Sequence, residues 1–194
     1  MRRSDCNREW LFDGIELEKT ASRIDGLKSD EESAARAKAV WFLRDLGKVL
    51  GTKIFVIAAA SVYFHRFFVF HSINKEKHDK LLVAAVCLFL AGKYEGCFNK
   101  VERVIAGYLY LRSRGRNISP EENLKEIQIQ YQKLYNDPEK ATEGREEKER
   151  LKSLFIEMEK SLLLTLCFEL HVSHPHMAVA AHVSKMKSAK HSMF

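Results

Sequence analysis

The sequence predicts an all-α fold, a bundle of five core helices with one of them enclosed by the rest, and three observations lead there. Apolar residues recur at three-four spacing in one segment after another, while strand-like alternation is nearly absent. Two segments, Lys53 to Phe70 and Lys80 to Lys93, are apolar on nearly every face, the mark of helices surrounded by other helices. Finally, 194 residues with 46% hydrophobic content and only 3 prolines are enough for one substantial core with a short extension.

The elements follow in order. Ser29 with Glu32 three residues later has the spacing of a capping box, and Ala39, Phe42, Leu43, Leu46, Val49 and Leu50 then mark a helix to about Leu50, stopped by Gly51. Lys53 to Phe70 is expected to be the central helix. Asp79 is suited to cap a third, Lys80 to Lys93, whose alanines allow neighbouring backbones to come close. Asn99 and Glu102 repeat the box spacing before a fourth helix striped by Val101, Val104, Ile105, Tyr108 and Leu109. From about Arg112 to Glu147 the chain turns polar and reads as an insertion. Within it Ser119, Pro120 and Glu122 open a helix with Leu124, Ile127, Tyr131 and Leu134 on one face, ended by Asn136, Asp137 and Pro138. A fifth core helix runs from about Glu146 to near Leu170, through Leu151, Leu154, Phe155, Met158, Leu162 and Leu166. Ser173 and Pro175 then mark a turn into a helix striped by Met177, Ala180, Val183 and Met186. Nothing follows to cover that stripe, so the chain is expected to stop short of a further unit.

Composition excludes several classes. The net charge of +6 is spread through alternating acidic and basic residues, so direct contact with nucleic acid is not expected. The four cysteines, Cys6, Cys87, Cys97 and Cys167, have no CxxC spacing and fit a reducing compartment. No signal segment opens the chain, and "IFVIAAASVYF" is too short to span a bilayer, which needs roughly 20 apolar residues. No phosphate loop, nucleophile elbow or catalytic metal pattern occurs, so no catalytic residue, cofactor or metal ligand is assigned. His171, His174 and His176 straddle Pro175 and match no helix face, which leaves them as turn histidines.

Two charges remain to be explained. In "AAVCLFLAGKYEG" an apolar helix ends at Lys93, where a cation suits the helix dipole, and Glu159 lies at the edge of the stripe formed by Phe155, Met158 and Leu162. If the third and fifth core helices lie side by side, these two charges meet. The pair is then either a structural salt bridge or a charged grip for a partner.

"YFHRFFVFHSI", "CLFLAGKYEG" and "MEKSLLLTLCFELHVSHPH", with "WLFDGIELEKTASRIDGL" upstream, resemble the first cyclin box and N-terminal segment of the transcription-type cyclins, the cyclin T and cyclin K group. The resemblance covers nearly the whole chain outside the insertion. It implies an N-terminal segment at 1–28, a cyclin box at 29–172 interrupted at about 112–147, and a linker with the first helix of a second box at 173–194. It also implies kinase-binding roles for Phe89, Lys93, Glu95, Glu159 and Phe168, and box-stabilising roles for Arg36 and His65.

The activity so implied is that of a nuclear regulatory subunit, not an enzyme. It would activate a cyclin-dependent kinase of the transcription-elongation type and reach the C-terminal repeats of RNA polymerase II only through that kinase. Two alternatives stay open: a cyclin-fold scaffold binding DNA and polymerase, as transcription factor IIB does, and a truncated cyclin whose kinase binding is weak or inhibitory. The family commonly has a second glutamate after Glu95, where this chain has Gly96. "AARAKAVWF" around Arg36 lacks the Met and Leu of the docking patch in cell-cycle members, which argues against a cell-cycle role.

Overall fold

The computed structural model describes residues 10–74, 78–114 and 145–174, with isolated positions at 125, 128–129, 179 and 182–183. Two short helices, α1 (Gly14–Leu17) and α2 (Ala21–Ile24), lead into five long ones: α3 (Ser29–Val49), α4 (Ile54–Phe70), α5 (Lys80–Tyr94), α6 (Val101–Arg114) and α7 (Arg145–Thr165). Among the described residues there is no strand, and no helix is long and apolar enough to cross a membrane. The expected insertion helix lies outside the described residues but for positions 125 and 128–129, as does most of the C-terminal one.

Enclosure falls on α5, not on the expected Lys53–Phe70 helix. Leu82 through Gly92 are buried without a break, and α5 packs against α3, α4, α6 and α7. Its alanines allow this, because small side chains leave room for neighbours all round. Helix α4 instead leaves His65 and the bulky Phe70 exposed, Phe70 by 55%, with Trp10 and Phe12 of the N-terminal segment edge-on to it. Tyr63, Phe64, Phe67 and Phe68 of α4 and Leu43 and Leu46 of α3 fill the core beside α5, joined by Phe155, Leu162 and Leu166.

Caps explain the boundaries. Asp79 caps α5 as expected, its Oδ1 accepting from the Leu81 N–H at 3.0 Å, while its Oδ2 accepts from the Tyr108 hydroxyl at 3.0 Å and so ties α5 to α6. The Ser29–Glu32 box does not form. Lys28 is the cap residue, and the Glu31 carboxylate reaches back to its N–H at 3.0 Å. Glu102 likewise turns away from a box with Asn99 and binds Lys152 of α7 at 2.7 Å. Helix α7 ends at Thr165, short of Leu170, because Cys167 and Phe168 adopt positive φ of 50° and 60°. The Cys167 N–H donates to the Leu164 carbonyl and the Phe168 N–H to that of Leu163, which closes the helix in a Schellman turn.

Candidate functional site: a charged edge shared by α5 and α7

The two helices run parallel in matched register. Phe89 meets Phe155 edge-on at 6.4 Å, and four residues further along each helix the Lys93 Nζ donates to Glu159 Oε1 at 2.7 Å and Oε2 at 3.0 Å. One helical turn on both elements therefore separates an apolar contact from a charged one. The Lys93 side chain is 40% exposed and that of Glu159 only 14%, so the carboxylate is held against the body while the ammonium faces water. Lys93 also lies 4.4 Å from the centre of the Phe89 ring, a cation–π contact that fixes its stem.

The structure brings the remaining candidates to different depths. Phe89 is a core residue, 8% exposed, and acts on the edge through Lys93. Glu95 is the half-buried C-cap of α5. Near it the Tyr63 hydroxyl donates to the Leu170 carbonyl at 2.5 Å, and burial first, then the Glu95 charge, pushes the Tyr63 phenol above its ordinary pKa. Phe168 is 67% exposed in the turn after α7. Sequence reasoning passed over Phe98, 61% exposed and 6.1 Å from Phe89, and Ile156, 58% exposed one turn before Glu159. Neither falls on a buried stripe, and the signal in each is an apolar residue left outside one.

Arg36 and His65 form a second cluster. The Arg36 guanidinium donates to Glu32 Oε1 through Nε at 2.9 Å and Nη2 at 2.6 Å, and to the α4 carbonyls of His65 at 3.2 Å and Phe68 at 2.5 Å. The Phe68 carbonyl is one of the last four of α4, and a cation there answers the helix dipole. His65 contributes its carbonyl. Its ring packs on Phe64, and loss of hydration together with the Arg36 charge lowers its pKa, although by area it remains exposed.

Glu32 is the residue that sequence reasoning misassigned. It is 5% exposed and accepts from Thr20 at 3.0 Å and Arg23 at 3.1 Å as well as from Arg36, binding the N-terminal segment to the bundle. Among the described residues no cluster of His, Cys, Asp or Glu is arranged to hold a metal ion.

The sequence profile of the family described as "Cyclin, N-terminal domain" matches residues 15–171. The chain belongs to the cyclin family. It is similar to Cyclin-T1-5 of Arabidopsis thaliana, 31% identical over 186 residues, which are 95% of this chain and 28% of that protein. It is also 28% identical to human Cyclin-K over 184 residues, 95% of this chain and 27% of that protein. Cyclin pch1 of Schizosaccharomyces pombe is 27% identical over 182 residues, 94% of this chain and 46% of that protein. The chain thus spans between about a quarter and a half of the length of these cyclins. The all-helical architecture expected of a cyclin box is the one the structure has.

Proposed function

We propose that this cyclin is the regulatory subunit of a cyclin-dependent kinase that acts in RNA polymerase II transcription elongation, working in the nucleus. The observation that carries the reading is the Lys93–Glu159 pair at the common edge of α5 and α7. Such a pair presents a fixed ammonium and a shielded carboxylate beside apolar Phe98 and Ile156, a combination suited to holding a partner helix by its apolar face and backbone. Similarity to cyclins of the T and K types supports the choice of kinase class.

The mechanism is selection of one conformation. Phosphoryl transfer in a protein kinase requires a glutamate on its mobile helix to pair with the ATP-site lysine. A cyclin that binds the helix better in that arrangement shifts the kinase toward it by the difference in affinity, and performs no chemistry itself.

Lys93→Glu and Glu159→Ala test the assignment. Each is expected to weaken kinase capture by ~30-fold, about 2 kcal/mol, the low end for breaking a desolvated interfacial charge pair. Melting should change little, since a pair open to water on one side contributes at most about 1 kcal/mol to folding. Co-purification with transcription kinases and thermal melting are the two measurements. Undiminished capture by both folded variants contradicts the site.

A further inference from the structure

Phe168 is too exposed to be held by its own burial, so the backbone of the turn after α7 sets its direction. That backbone is strained. Cys167 and Phe168 adopt positive φ in succession, a conformation that residues other than glycine keep only where the surrounding structure imposes it. Leu166 and Val172 are buried on either side of the turn and Leu170 is half-buried. These apolar anchors fix its ends, and the stretch from Cys167 to Glu169 is left for hydrogen bonds to direct.

The bonds divide between two helices. The N–H groups of the turn go to α7: Cys167 donates to the Leu164 carbonyl at 3.1 Å, Phe168 to Leu163 at 3.0 Å and Glu169 to Leu166 at 2.8 Å. Its carbonyls are met by α4, where the Tyr63 hydroxyl donates to Leu170 at 2.5 Å and Arg66 Nη1 to Glu169 at 3.4 Å. Tyr63 and Arg66 stand three residues apart, so one turn of α4 supplies donors to two successive carbonyls. The Tyr63 bond is much the shorter and joins residues 107 apart in the chain. The Tyr63 ring is fully buried, and phenylalanine would fill the same space. A buried phenol needs an acceptor, but packing alone does not require a phenol here.

We propose that Tyr63 is a positioning residue for partner binding: its hydroxyl, acting through the Leu170 carbonyl, holds the strained turn in the conformation that presents Phe168. Tyr63 itself lies too deep to touch a partner. The partner half of this assignment rests on the kinase role proposed for Phe168, whereas the hold on the turn stands without it.

Tyr63→Phe removes the hydroxyl and keeps the ring. Hydrogen–deuterium exchange of the full chain should find the amides of Cys167, Phe168 and Glu169 exchanging at least ~10-fold faster in the variant, with those of α5 from Leu82 to Gly92 unchanged. Binding to a purified cyclin-dependent kinase of the transcription-elongation type should weaken by ~5-fold. In a Phe168→Ala background the same substitution should change binding by less than about twofold, because the turn then has no aromatic side chain to present. A hydroxyl with a structural role alone would lower melting without that dependence on Phe168. Unchanged exchange in Tyr63→Phe overturns the proposal whatever the kinase does, and so does an equal loss of binding with and without Phe168. Faster exchange in a protein whose parent ignores the kinase, or whose Phe168→Ala variant binds it undiminished, upholds the hold on the turn, overturns the partner half and places the fault in the kinase role of Phe168.

Discussion

Glu32 shows how one side chain can decide the attachment of a whole segment. Burial pushes its carboxyl pKa up, but the hydrogen bonds and charge of Arg36, with the bonds from Thr20 and Arg23, outweigh it and leave the pKa below the ordinary value. A carboxyl lowered in the folded state contributes stability that is fully present above its unfolded pKa of about 4.3 and is lost as pH falls through the folded value. Glu32→Gln keeps the size and removes the charge. At neutral pH it should cost about 3 kcal/mol, the range for breaking a buried pair, because Arg23 and Arg36 lose their counter-charge. The melting temperatures of wild type and variant should draw together as pH falls from the unfolded pKa of about 4.3 through the lower folded value, where the native carboxylate is protonated as well. A constant gap across that range would show that shape, not charge, is what Glu32 supplies. Its role was not legible in the sequence. Ser29 and Glu32 satisfy a capping-box spacing that the backbone ignores, since helix α3 begins one residue earlier and Thr20 and Arg23, distant by that logic, take the carboxylate.

The helix ends argue a different case. Helices α3 and α5 stop at Gly51 and Gly96, and α7 closes with the same hydrogen-bond pattern although Cys167 occupies the left-handed position. Gly96 accounts for the departure from the expected second glutamate after Glu95. Its φ of +68° is a conformation that L side chains rarely adopt, so the charged contact is given up where the turn is formed. A side chain there would meet nothing within 4 Å, and the penalty of Gly96→Ala is therefore conformational alone, ~1 kcal/mol. Cys167→Gly should act in the opposite sense, raising the melting temperature by ~3 °C. Calorimetry of the two variants checks both signs, and a Cys167→Gly protein that melts lower would refute the strain. The start of α5 and the Gly51 stop could be read from the sequence because Asp79 and Gly51 do locally what their chemistry favours. The end of α7 could not, because a cysteine and a phenylalanine carry no signal for positive φ.

At the scale of the molecule, the Lys93–Glu159 contact was legible because α5 and α7 share a register. Phe89 and Lys93 are spaced as Phe155 and Glu159 are, so one apolar contact carries the charged one with it. Which helix lies innermost was less legible, since the α4 and α5 segments are both apolar on nearly every face in sequence, and only packing leaves His65 and Phe70 of α4 exposed while it buries α5 from Leu82 to Gly92. The connection between α6 and α7 poses the last question at this scale. The two helices hold one another through Glu102 and Lys152, and each packs on α5 independently of the chain that joins them. Removing Ser119 to Pro138 shortens that connection by about two-thirds, which changes its closure entropy by only about 1 kcal/mol. The enclosure of α5 from Leu82 to Gly92 rests on α3, α4, α6 and α7, all retained in the deletion. The shortened chain should therefore melt within a few degrees of the parent and keep its helical circular dichroism. Kinase capture should persist, since the Lys93–Glu159 edge is built from helices outside the deleted segment. A fall of ten degrees or more would instead assign Leu124, Ile127, Tyr131 and Leu134 to covering the body, and loss of capture from a well-folded deletion would assign them to the partner.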